Sequence, residues 1–317
     1  MGTLPAVTDS PSAPPWRAPV LVVSSNKGGV GKTTLAANLA IYVRALREDL
    51  PVLAIGLDDQ EALDRMFALR PRRDGAANLK HGWAERNLET VIQLGEYGVH
   101  FVPSPPDVSL LKGRAESPVT LRRILERTDW QGVVVIDTKA DLEALTLNAY
   151  HAADRILVPV ADWGSLEEAA KIFRILERST LGSRRARIVF TLVDRRARTE
   201  RGTTLFQALL GEVRRRGWPY YKTYLSRSPR VESLNSATST PLSILHHARG
   251  TAVHAQMREL TQEVLADLGI ALPTAPAEAP VAEPAILWGK RRLGGVTAPR
   301  SGAKPGWGGF LSGLRGR

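Results

Sequence analysis

VLVVSSNKGGVGKTTLAANLA, residues 20–40, decides the fold. Val20–Ser24 form a largely apolar run suited to a buried strand, and the residues from Thr33 onward, rich in Ala and Leu, read as a helix. Between the two lies a glycine-rich loop ending Gly31-Lys32-Thr33. Strand, glycine loop and helix in that order make a phosphate cradle, a P-loop. Gly28, Gly29 and Gly31 let the backbone around Val30 turn its N–H groups inward, where a side chain would collide with phosphate. The helix N-terminus, at Lys32, Thr33 and Thr34, adds partial positive charge. Lys32 adds a full charge for the β- and γ-phosphates of ATP, and the Thr33 hydroxyl is a hard oxygen ligand for Mg²⁺.

Outward from this stretch, strand and helix alternate. Further strands are expected at 52–57, 99–102, 133–136, 155–160 and 187–193. Helices are expected at 33–47, 118–128, 142–152, 166–180, 205–216 and 251–268. Such alternation predicts an α/β fold, a P-loop NTPase with a mostly parallel sheet and helices on both faces, in a single three-layer domain. The nucleotide then sits at the C-terminal ends of the strands. Residues 1–18, rich in Pro, Ser and Ala, read as a disordered leader, and 19–270 as the ATPase domain. Residues 271–317 read as a Pro/Ala linker and a basic, Gly-rich tail that is largely disordered. The polar and basic stretch 70–86 reads as a surface loop.

Composition narrows the chemistry. The 317 residues carry a net charge of +11, which calls for a polyanionic partner or else a solvated Arg-rich surface. No cysteine is present, so disulfides, thiolate zinc sites and cysteine-held iron–sulfur clusters are excluded. The N-terminal stretch has no basic region leading into an apolar one, and nowhere do 18 apolar residues run together. A cytoplasmic protein is expected.

Where the ordinary motif is G-x-x-x-x-G-K-[ST], this chain has Asn26 in place of the first glycine and a second lysine, Lys27, opening the loop. KGGVGKTT thereby resembles the deviant Walker A motif of the ParA/MinD family of ATPases. The resemblance implies that Lys27 reaches across a homodimer interface to the partner's ATP, where it offsets the charge of two facing nucleotides. VLAIGLDDQEA, residues 52–62, is similar to the family's second-strand motif ending D-x-D-P-Q. Asp58 matches the aspartate that orients the attacking water; Gly56 and Asp59 stand in place of the family's first Asp and its Pro. VVVIDTKAD, residues 133–141, resembles the Walker B and switch II region, which makes Asp137 the support of the Mg²⁺ shell through water. Lys139 and Ala140 replace two usual prolines there, which puts the stiffness of that loop and the hydrolysis rate in question. Asp194 sits where the family approaches the adenine base. The resemblance spans about residues 20–268 and implies slow hydrolysis until a partner protein acts.

Two surfaces compete for the polyanion. For non-specific DNA and a nucleoid location, the candidates are Arg214, Arg215, Arg216, Lys222, Arg227, Arg230 and Arg249; phosphate contact needs only point charges. Arg214–Arg216 also simply complement a helix C-terminus. For membrane, Trp307, Phe310, Leu311 and Leu314 fall at helical spacing in the tail, with Lys304, Arg315 and Arg317 nearby. Gly308, Gly309, Gly313 and Gly316 oppose a helix there, each by about 1 kcal/mol. A third possibility is a nucleotide-bound regulator with little turnover, suggested by residues 56, 59, 139 and 140.

Overall fold

The computed structural model describes residues 18–70, 75–115, 117–200, 202–234 and 242–273. The leader up to residue 17 and the linker and tail from residue 274, with the tail's amphipathic pattern, lie outside the described residues.

The strands are β1 (Val20–Val23), β2 (Val52–Leu57), β3 (Gln93–Leu94), β4 (His100–Val102), β5 (Val133–Thr138), β6 (Arg155–Val160) and β7 (Ala186–Phe190). They form one sheet in the order β3-β4-β2-β5-β1-β6-β7. Every pairing is parallel except that of β3 with β4, at the edge. The helices are α1 (Lys32–Leu46), α2 (Ala62–Phe67), α3 (Leu79–Glu85), α4 (Thr120–Arg127), α5 (Ala144–Ala152), α6 (Trp163–Arg178), α7 (Leu205–Arg215), α8 (Pro229–Leu234), α9 (Ile244–His247) and α10 (Ala252–Asp267). A 3₁₀ helix spans Val108–Arg114.

The sheet is apolar on both faces, which is why its central strands read as unbroken hydrophobic runs. On one face Val20, Val22, Leu53, Ile55, Val134 and Ile136 pack with residues of α3, α4, α5, α6 and α7. On the other, Leu21, Val23, Val52, Ala54, Val133 and Val135 meet α1 and α10. The three-layer α/β architecture is as expected from the alternation of elements.

Two local differences have physical causes. The polar stretch 70–86 contains a helix where a loop was expected. Asn78 caps α3, and Leu79 and Trp83 turn into the core. One buried tryptophan outweighs the polar composition around it. The last parallel strand ends at Phe190, three residues earlier than expected, because Leu192 takes a left-handed backbone, φ 52°.

The strand register builds the site. Asp137 on β5 stands opposite Val23, the last residue of β1, and opposite Gly56 on β2. The phosphate loop, the loop carrying Asp58 and the end of β5 therefore converge at the C-terminal ends of the three central strands.

Candidate nucleotide site

The loop from Ser24 to Gly31 leaves β1 and enters α1. Gly29 and Gly31 have φ of 76° and 86°, in the left-handed region that glycine occupies without strain. No protein atom lies within 4 Å of where a Cβ would stand at either residue, so the need for glycine there is conformational. α1 begins at Gly31 with no side-chain cap. By contrast α3, α6 and α7 are closed by Asn78, Asp162 and Thr204. An uncapped helix start facing a left-handed glycine loop is a ready anion site.

The Lys32 ammonium folds back under the loop and donates to the Lys27 carbonyl at 3.2 Å. Burial pushes it below the usual lysine range, opposed by the charges of Asp137, Asp58 and Asp141. A lysine so enclosed has lost hydration and gains strongly from an anion.

Thr33 donates its hydroxyl proton to Asp137 Oδ2 at 2.6 Å. Asp137 is buried, and its second oxygen, Oδ1, has no hydrogen-bond partner. Burial raises this carboxyl to about 7, against the pull of the Thr33 bond and Lys32. An orphaned buried carboxylate oxygen beside a hydroxyl with lone pairs to spare fits a hard divalent cation or the water bound to one. Among the described residues no cluster of three or more His, Asp or Glu could hold a metal. The donor set thus suits a magnesium ion completed by phosphate and water.

Asp58 leaves β2 at the loop's start and accepts from the Gln60 N–H at 3.2 Å, an Asx turn that fixes its side chain. It lies near enough to act electrostatically on Lys32 and Asp137. Gly56 has a local cause: a Cβ there would stand 3.0 Å from Ser104 Oγ. Ser104 and Asp64, which accepts from its N–H and hydroxyl, fill the space a larger side chain would take.

The outer edge of the loop is tied to α6. Lys27 places its ammonium 2.8 and 2.7 Å from the two oxygens of Asp162. Asp162 also caps α6 by accepting from the Ser165 N–H. Burial works against ionising Asp162, but Lys27 and Ser165 more than offset it and hold the carboxyl below its usual range. Gly164 makes room: a Cβ there would come within 2.8 Å of the Lys27 ammonium. Asn26, in the place of the usual first glycine, donates to Glu168 on the same helix.

On the far side of the loop Thr191 donates to the Val30 carbonyl at 2.8 Å, joining β7 to the cradle. Its neighbours Phe190 and Leu192, with Val160, Phe206, Asp194 and Arg227, line a cavity of about 360 Å³. An apolar floor with a polar rim suits a flat heterocyclic base. Asp194 stands on that rim, its carboxylate accepting from the Arg196 N–H at 2.8 Å.

The candidate DNA cations fall in separate places. Arg215 and Arg216 share Glu212, and Arg216 also pairs with Glu167 at 2.6 Å. Arg214 donates to the Tyr220 hydroxyl, and the Lys222 N–H to Glu263. Arg227 pairs with Glu232 at 2.9 Å beside the base cavity. Arg230 of α8 and Arg249, just past α9, each donate to a carbonyl of α9, those of His247 and Leu245.

Asp162, Glu168 and Ser104 were not singled out from sequence. They lie far along the chain from their partners, with no motif of their own. Asp162 alone left a trace, as an N-cap residue three positions before Ser165.

Residues 18–178 match the family described as AAA domain. The chain is 32% identical over 252 residues to the chromosome-partitioning ATPase Soj of Thermus thermophilus, covering 78% of this chain and 95% of that protein. It is 31% identical over 241 residues to the chromosome partitioning protein ParA of Caulobacter vibrioides, covering 71% and 86%. Its fold is similar to that of the septum site-determining protein MinD of Pyrococcus horikoshii, solved with Mg-ADP. The TM-score is 0.62 and the identity 18%, with 80% of this chain and 98% of that one covered. With the phosphate cradle, the second lysine and these relatives together, the chain belongs to the ParA/MinD family of deviant Walker A P-loop ATPases.

Proposed function

We propose that this ParA-like ATPase works as a positioning switch: with Mg-ATP two copies join, the dimer binds DNA non-specifically, and hydrolysis, stimulated by a partner protein, releases it. Residues 19–270 act as the ATPase domain, and the cargo is a chromosome, plasmid or other large assembly. The protein acts in the cytoplasm, on the nucleoid. The observation that carries this reading is the pairing of an uncapped, glycine-built phosphate cradle with a second lysine held at its rim.

The geometry supports the following roles. Gly28 to Thr34 present N–H groups to the phosphates, and Lys32 exchanges its bond to the Lys27 carbonyl for phosphate oxygen. Thr33 and Asp137 would hold Mg²⁺, which supplies charge neutralisation at the phosphates. Asp58 orients the attacking water, the base lies in the cavity rimmed by Asp194, and no covalent intermediate is needed. Lys27 leaves Asp162 to reach the partner's nucleotide. A net charge of +11, with Arg230 and Arg249 both bonded to carbonyls of α9, favours phosphate backbone as the surface held.

The test is retention of the full chain on plasmid DNA and on anionic liposomes, with ATP, ADP or no nucleotide, repeated with Lys32→Ala. The expected result is ATP-dependent retention on DNA that weakens with salt and vanishes in the variant. Retention on liposomes instead would replace DNA by membrane, with residues 304–317 as the anchor to delete. Binding to neither would overturn both surfaces.

A further inference from the structure

Two residues that depart from the family pattern meet in space. Lys139, in the loop after β5, places its ammonium 2.7 Å from Asp59 Oδ2, in the loop after β2. Ser109 receives both: its N–H donates to Asp59 Oδ1 at 2.9 Å and its hydroxyl to Oδ2 at 2.5 Å. Lys139 also reaches the Ser109 hydroxyl at 3.4 Å.

Ser109 belongs to the 3₁₀ helix, which is fixed to the core through Val108 and Leu111. From the same helix Lys112 pairs with Asp141 at 3.7 Å and with Glu143, further along the loop after β5. One anchored segment thus grips both loops, which Lys139 and Asp59 also join directly. Burial opposes the charge on Asp59, but Lys139 and Ser109 outweigh it and bring the carboxyl down to about 2, so the pair stays ionised at any working pH.

Stability does not account for it. The two side chains are 40% and 30% exposed, and ion pairs so placed add little to folding. Their location is what matters. Asp59 follows Asp58 directly, and Lys139 is two residues beyond Asp137. The Asx turn with Gln60 holds Asp58 within its own loop, while the Asp59 pair holds that loop to its neighbour.

We propose that Asp59 and Lys139 are positioning residues for hydrolysis: their ion pair on Ser109 clamps the Asp58 loop to the loop after β5 and thereby sets where the Asp58 carboxylate stands at the phosphate site. This rests on Asp58 orienting the attacking water. A carboxylate that drifts within its loop still permits nucleotide binding but spends less time in line with the phosphate, so the effect belongs in kcat.

The experiment compares the full chain with Asp59→Asn, Lys139→Met, the double variant and Lys139→Arg. Single-turnover hydrolysis of radiolabelled ATP and equilibrium binding of a fluorescent ATP analogue are read side by side. Each single change should lower the rate about tenfold while nucleotide affinity stays within about twofold. The double variant should lose no more than either single one, since both break one link. Lys139→Arg, which keeps the charge, should recover most of the rate. Unchanged rates in the singles, losses that multiply in the double variant, or affinity falling in step with rate would overturn the proposal. Asp58→Ala is measured alongside. If it hydrolyses at the parent rate, the role given to Asp58 fails, and that failure is separate from the behaviour of the clamp.

Discussion

The phosphate loop and the loops that face it are built by different means. Residues 24–34 work through backbone: two left-handed glycines, an uncapped helix start and one enclosed lysine. The loops after β2 and β5 work through side chains, with Asp58 held by the Gln60 N–H and Asp59 and Lys139 held to each other and to Ser109 of the 3₁₀ helix. A backbone cradle admits almost no variation, because its geometry depends on the absence of side chains. A side-chain network can be rebuilt from other residues that hold the same loops in place. On the proposed reading the difference divides the labour as well: the cradle would decide whether nucleotide binds, and the opposing loops how fast it is cleaved.

The largest expected effect tests that division at the cradle. Lys32→Ala should weaken nucleotide binding by about a hundredfold or more, since Lys27, the other lysine of the loop, is held by Asp162. Titration with a fluorescent ATP analogue measures this. Binding close to the parent value would mean that the cradle does not depend on its enclosed lysine.

A smaller effect is expected at the rim. Asp162→Asn keeps the cap on α6, because Asn accepts from the Ser165 N–H as Asp does, but it discharges the partner of Lys27. Freed from its own chain, Lys27 should join the dimer more readily, and ATP-dependent association should tighten by about threefold. Sedimentation over a range of concentrations reads it, and weaker association would show that the pair builds the interface.

The last effect, read in stability rather than in binding, concerns Asp137, which both regions share. Burial raises its carboxyl to about 7, above the usual carboxylate range. In chelator, then, the folded protein holds a proton that the unfolded chain releases. The stability this contributes is complete below about pH 4 and lost as the pH rises through about 7. Thermal midpoints in chelator should fall across that window for the parent and be flatter for Asp137→Asn. Parallel curves would show that Asp137 does not titrate there.

The same contrast governs what was legible in the sequence. Buried parallel strands announce themselves as apolar runs, so the sheet, its flanking helices and the cradle could be read directly. Asp58 and Asp137 were legible because each ends such a run. α3 escaped notice because its one strong signal, Trp83, sits among charged residues, and β3 because two exposed residues carry no pattern. Asp59 and Lys139 were visible singly as departures, yet nothing along the chain joins residues 80 positions apart. Lys27 was readable as a lysine out of place, while Asp162, which holds it, lies 135 residues away. Local chemistry is written locally; pairings made by the fold are not.

The central claim is that ATP joins two copies and hydrolysis parts them. Sedimentation velocity of the Asp58→Ala chain with Mg-ATP and with Mg-ADP tests it most directly, because the variant should bind ATP without consuming it. A stable dimer with ATP and a monomer with ADP is the predicted result. A monomer in both, with nucleotide bound, would contradict the account.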